Sequence, residues 1–139
     1  MRIALLSLLI AFPAVAEEAL VDYVVENGAS IQAPLVDWDG GAEPGEAVFA
    51  NAGCADCHAA PGYEDAPSIG PDLTDVGARL TEGELRLMIV NPAIVLPNTE
   101  MPAYYEVGVL GRAPDELVGR TRLAPTEIEQ LVAWLSTLN

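Results

Sequence analysis

The clearest periodicity in the chain lies near its end, in APTEIEQLVAWLSTLN, where Ile128, Leu131, Val132 and Leu135 recur at i, i+3, i+4 and i+7. That spacing puts four apolar side chains on one face of a helix, and Pro125 suits a place near its start. A second helix is predicted over 81–90, in TEGELRLMIVNP. There Thr81 and Glu84 make a capping-box pair, Leu85, Met88 and Ile89 share a face, and Asn91-Pro92 stops the run. The shared face, Met88 included, reads as core. A third helix begins near Pro44 in EPGEAVFANAGC and runs toward Cys54. Between these elements the pattern breaks. Residues 17–43 are interrupted by Gly28, Pro34, Gly40 and Gly41, which predicts an arm with low helix content and few contacts of its own. Pro61, Gly62, Pro67, Gly70, Pro71 and Gly77 make 59–77 mostly loop, and a further Gly/Pro-broken connection runs to Gly119. With no repeat and no convincing strand pair, the chain reads as one all-α domain.

The first residues follow a different rule. Arg2 precedes an apolar run from Ile3 to Phe12, and Ala14 and Ala16 complete an A-x-A arrangement, the pattern of a cleaved secretory signal peptide over 1–16. The run is too short to span a bilayer, so no membrane span is expected. Cleavage would leave five arginines against 21 acidic residues and no lysine, a net charge of −16. A nucleic acid partner is not expected of such a chain. The acidic residues are scattered, which suits a solvated surface and can also steer a basic partner.

Both cysteines and the only histidine fall within NAGCADCHAAPGY, residues 51–63. A disulfide between cysteines this close would close a tiny loop and hardly restrain the unfolded chain. A thioredoxin-like dithiol belongs at a strand-to-helix junction in an α/β pattern, which is not evident here. Structural zinc needs four ligands, and no second Cys/His pair exists. The string Cys54-Ala55-Asp56-Cys57-His58 is C-x-x-C-H, the signature of covalent c-type haem attachment, with the dithiol as the alternative. Two thiols three residues apart on a helical turn can each add to one vinyl group along one edge of the macrocycle. His58, next in line, reaches the iron. Aromatic residues make up only 6% of the chain, so much of the core would be supplied by the cofactor.

A second axial ligand cannot be histidine, and the thiols are consumed, which leaves methionine. After cleavage only Met88 and Met101 remain. Met88 lies on the predicted core face of a helix. Met101 lies in NPAIVLPNTEMPAYY, where Pro92, Pro97 and Pro102 make an irregular but stiff loop able to hold a thioether against iron. Met101 is therefore the expected distal ligand and Met88 the alternative.

Taken with Cys54 to His58, Met101 and the terminal helix, IGPDL at 69–73 resembles a class I cytochrome c. The strings IGPDLTDVGARLTEGELRLMIVNP, PNTEMPAYYEVGVLGRAP and LAPTEIEQLVAWLSTL are similar more specifically to the SoxX family, the monohaem subunits of thiosulfate-oxidising SoxXA complexes. VENGASIQAPL in the arm carries a weaker likeness. The resemblance implies an all-α class I cytochrome c-like domain around one covalent haem c, with an extended N-terminal arm. The divisions are then a cleaved signal at 1–16, an arm contacting a partner at 17–43, and the cytochrome c domain at 44–139. It implies Cys54 and Cys57 as thioether attachments, and His58 and Met101 as the iron ligands. It also implies a carbonyl near Pro71 that accepts from the free ring nitrogen of His58; Arg79 is either a partner for a haem propionate or an ordinary exposed arginine.

One departure from the family pattern is GRTRLAP at 119–125, where a lysine is expected after the glycine and a threonine before the helix; Ala124 is a poor cap. For function, the resemblance implies a periplasmic electron-accepting subunit of an L-cysteine S-thiosulfotransferase, with no catalytic residues and no activity alone. Its partners would be a SoxA-like cytochrome subunit in a heterodimer, a SoxYZ-like carrier protein and a downstream cytochrome. The alternative is a freestanding periplasmic class I cytochrome c. The arm separates the two, because a segment that cannot bury itself can wrap a partner and order on binding.

Overall fold

The computed structural model describes residues 18–109 and 111–139, so the predicted signal segment lies outside the described residues. Among the described residues four helices carry the fold: α1 (Glu43–Asn51), α2 (Val76–Arg79), α3 (Glu82–Val90) and α4 (Pro125–Ser136). Single 3-10 turns occur at Cys54–Asp56, Pro92–Ile94 and Asp115–Leu117. Among the described residues, β structure amounts to two isolated bridges, Glu26 to Ser30 and Gly108 to Val118. None of the described helices is long and apolar enough to cross a membrane.

The helices form where the local chemistry predicts. α1 has Pro44 in its first turn beside Glu43 and Glu46, which favour the positive end of the helix dipole. α3 starts with the reciprocal cap: the Glu84 amide donates to Thr81 Oγ1 at 3.4 Å, and the Thr81 amide donates to the Glu84 carboxylate at 2.8 Å. At α4, Ala124 has no side-chain acceptor to offer, yet its own amide donates to Glu127 at 2.9 Å. Half of a capping box therefore survives the alanine. Ile128, Leu131, Val132 and Leu135 are all buried, as their spacing requires.

α1 and α4 pack closely because Gly45 allows it. A Cβ at that position would collide with the Gln130 carbonyl and the Trp134 Cβ. Next to this crossing, Phe49 is 1% exposed and its ring lies 5.2 Å from Tyr63 and 5.1 Å from Trp134, tilted against both. The result is a compact aromatic cluster at the back of the domain.

The arm has no helix, as expected, but the expectation that it makes few contacts is corrected. Ile31 and Leu35 are buried, and their backbones are tied down. The Ile31 amide donates to the Gly83 carbonyl at 2.9 Å, Arg86 Nη1 donates to the Ile31 carbonyl at 2.7 Å, and the Leu35 amide donates to Glu129 Oε1 at 2.8 Å. Arg86 and Glu129 are themselves 3% and 4% exposed and form a two-point ion pair, with both N···O distances 2.8 Å. One buried guanidinium-carboxylate fork thus joins α3, α4 and the arm. Ile31 and Leu35 are buried four residues apart in a segment without a helix, and their partners lie on α3 and α4, so no helical stripe in the arm marks the docking.

Removing one side of this fork leaves an uncompensated buried charge, which costs on the order of 3–5 kcal/mol. Glu129→Ala should lower unfolding free energy by about that much in urea titrations. The double change Arg86→Met with Glu129→Leu should cost clearly less, because both charges go together. A double variant as unstable as Glu129→Ala would contradict the ion pair as the organising contact.

Candidate functional site

After α1 the chain is turned by Gly53, whose φ of 76° lies in the left-handed region, into the turn that carries the cysteines. The Cys57 and His58 amides both donate to the Cys54 carbonyl, at 3.1 and 2.9 Å, so residues 54–58 form one helical turn. The two cysteines are not bonded to each other; Cys54 is buried and Cys57 half-buried. Burial pushes the Cys54 thiol up to about 11, against a hydrogen bond from Tyr104 that acts in the opposite direction. Burial likewise pushes the Tyr104 hydroxyl up to about 12. The turn follows a helix in a fold of helices, not the strand-to-helix junction that a thioredoxin-like dithiol uses, which removes support from that alternative.

His58 is held from one side. Its Nδ1 lies 2.8 Å from the Pro71 carbonyl, and a carbonyl can only accept, so Nδ1 carries the proton and Nε2 keeps its lone pair. The loop that supplies Pro71 is stitched to the motif by two backbone bonds, Gly70 amide to Cys57 carbonyl and Leu73 amide to Ala59 carbonyl, each 2.8 Å. Gly70 leaves room for the ring itself, since a Cβ there would overlap the imidazole. Sequence reasoning anticipated the carbonyl near Pro71. Gly70 entered there as a loop-breaker and as part of IGPDL, whereas the room it leaves for the ring is visible only in the structure.

Cys54, Cys57, His58 and Met101 all line one cavity of about 320 Å³. Its walls are mostly apolar: Leu73, Val76 and Leu80 from the α2 region, Leu85 and Ile89 from α3, and Leu135 from α4. Met101 is half-buried, packs against the core, and has its amide bonded to Thr99 Oγ1 at 3.1 Å. Met88 also lines the cavity and is only half-buried, which corrects its reading as core. Its helix face does point inward, but inward is the cavity. Arg79 lines the same space, held by Asp75 at 2.8 Å and by the Asp72 carbonyl at 2.6 Å. Tyr104, which the sequence did not single out, lines it too and touches Cys54.

These residues fit a covalently attached haem. The space is apolar, two thiols stand on one turn at its edge, a histidine is fixed in the tautomer that offers Nε2, and thioethers are available on the wall. The donor set is the one expected for six-coordinate haem iron.

Comparison with known proteins agrees with the geometry. The family model for cytochrome c matches residues 42–139. Among solved structures, the chain is similar to the crystal structure of SoxXA from P. pantotrophus, with 32% sequence identity and a TM-score of 0.66. That likeness covers 85% of this chain and 93% of the other. No curated protein matches the chain.

Gly70→Ala should force the imidazole away from Pro71. Overpacking of this kind costs about 1–3 kcal/mol. The expected outcome is a lower urea midpoint together with a changed haem absorption spectrum at unchanged helix content. An unaltered spectrum would mean that the ring does not rest on Gly70.

Proposed function

The chain belongs to the cytochrome c family and carries one covalently attached haem c, and from that premise we propose that it is the electron-accepting, SoxX-like subunit of a periplasmic thiosulfate-oxidising complex. The observation that carries this reading is the extent of the likeness to SoxXA. The general cytochrome c model spans 42–139, which is 98 of 139 residues, whereas 85% of the chain is about 118 residues. The likeness therefore takes in part of the arm as well as the haem domain. Export is supported by the predicted signal segment at 1–16.

In this reading Cys54 and Cys57 supply the two thioether sulfurs, His58 Nε2 the proximal ligand and Met101 the distal ligand. Bound haem supplies one reversible electron at its iron. The chain does the rest. Pro71 and Gly70 set the orientation of His58, and the apolar wall excludes water. Ligation by methionine together with histidine would raise the potential, which suits an acceptor. With His58 and Met101 both holding the iron, thiosulfate would find no open coordination site. With both cysteines committed, no thiol remains as a nucleophile or sulfur acceptor. Group transfer is left to a SoxA-like partner and a SoxYZ-like carrier, and the electron passes on to a downstream cytochrome.

The arm keeps a place in this scheme, although it docks on its own domain. Over 20–25 it alternates: Val21, Tyr23 and Val25 are half-buried, while Leu20 and Val24 stand 55% and 74% exposed. Its inner row is spoken for, and its outer row offers two aliphatic side chains to the SoxA-like subunit.

Two experiments test the reading. Met101→Ala should abolish the charge-transfer absorption of methionine-ligated ferric haem and lower the potential, while Met88→Leu, which conserves volume, should leave both intact. The reverse pattern would move the ligand to Met88. The oxidised chain alone, mixed with thiosulfate and carrier protein, should not turn over, and adding the SoxA-like subunit should bring thiosulfate-dependent reduction of this haem. Turnover by the isolated chain, with partner excluded by mass spectrometry, would overturn the assignment.

A further inference from the structure

Tyr105 is 7% exposed and follows the cavity-lining Tyr104, four residues after Met101. Its hydroxyl accepts from the Val21 amide at 2.7 Å and donates to the Val21 carbonyl at 3.2 Å, so both backbone groups of one arm residue close on one phenol. The Tyr23 ring lies over it, with centroids 6.1 Å apart at 54°. On the other side, the Tyr104 and Tyr105 amides donate to the Ile89 and Val90 carbonyls at 3.0 and 3.2 Å, capping the last turn of α3. The Leu123 amide closes on the Tyr104 carbonyl at 3.0 Å. Pro102 leaves little slack between Met101 and these anchors.

The other end of the same arm is bound to the elements that wall the cavity. Ile31 is fixed to Gly83 and Arg86 of α3, and Leu35 to Glu129 of α4. Residues 21–35 thus strap the outer side of α3 to the segment that carries Met101. Nothing in the chemistry of an electron carrier asks for a phenol that grips the backbone of a distant arm. A segment that must hold a thioether in place does.

We propose that Tyr105 is a positioning residue for the distal methionine, acting by clamping Val21 of the arm against the Met101 segment. The proposal rests on Met101 as the iron ligand. Without the clamp, the Met101 segment keeps its backbone bonds to α3 but loses its outer restraint, and it separates from the iron before the helices unfold. The effect is on ligand retention, which a merely structural role for Tyr105 would not single out.

The test uses the holoprotein, with urea titrations that follow the methionine-to-ferric-haem absorption and the helical signal side by side. Tyr105→Phe removes the hydroxyl and keeps the ring. Losing two hydrogen bonds of ordinary worth should raise the equilibrium constant for ligand loss by about tenfold, with the helical midpoint almost unmoved. A second variant, a mature chain beginning at Glu26, lacks Val21 but keeps the Ile31 and Leu35 anchors. It should show at least the same early loss, because the Tyr23 ring contact goes with Val21, and Tyr105→Phe in that background should add nothing, because the hydroxyl no longer has a partner. Equal shifts of both signals, no shift, or additive effects of the two changes would overturn the clamp. A parent chain without the methionine absorption would overturn the ligand assignment itself, and the clamp with it.

Discussion

A hydrogen bond from the Nδ1 of His58 to the Pro71 carbonyl decides which nitrogen of the only histidine is free for a metal. The structure around it is arranged so that this bond can form. The turn at 54–58 presents the ring, the Gly70 and Leu73 amides bring the loop alongside, and the absence of a side chain at Gly70 makes room for the imidazole. α1 and α4 cross behind the motif at Gly45, and α3 brings Leu85 and Ile89 to the opposite wall. The domain is built around a histidine held from the rear and an apolar space in front of it.

How much of this was legible in the sequence follows from the kind of signal each feature leaves. α4 was plain because Ile128, Leu131, Val132 and Leu135 bury a stripe, and stripes are periodic. α3 was plain because a capping box is a local contract between Thr81 and Glu84. The attachment turn was legible because two thiols and an imidazole must be close in sequence to serve one macrocycle. Met88 was misread for a physical reason: periodicity says which face of a helix turns inward, not whether protein or cofactor waits there. The arm's docking is not legible because the buried side chains of Ile31 and Leu35 make no helical stripe and the backbone groups of Val21, Ile31 and Leu35 leave no sequence signal. Their partners, Tyr105, Arg86 and Glu129, lie far away in the chain, so no local pattern marks them. The weak cap at Ala124 was legible, whereas its partial repair by Glu127 needed the geometry.

Charge is used unevenly. Among the described residues, Arg86 is spent in the buried fork and Arg79 is held by Asp75 beside the cavity. The surface is otherwise dominated by acidic residues, which keeps the protein soluble and would favour a basic docking face on a partner. In the proposed reading, a closed donor set, no spare thiol and an arm whose outer row stays exposed suit a component that takes electrons inside an assembly.

The central claim is that the cavity closes an iron between His58 and Met101. The most direct measurement is proton NMR of the reduced holoprotein with methyl-labelled methionine, where the methyl group of an axial methionine sits over the porphyrin and its resonance moves far upfield. The most strongly shifted methionine methyl is expected to belong to Met101, assigned by its loss in a Met101 variant, with Met88 shifted far less from its place on the wall. The largest shift on Met88, or no strongly shifted methionine methyl, would contradict that claim.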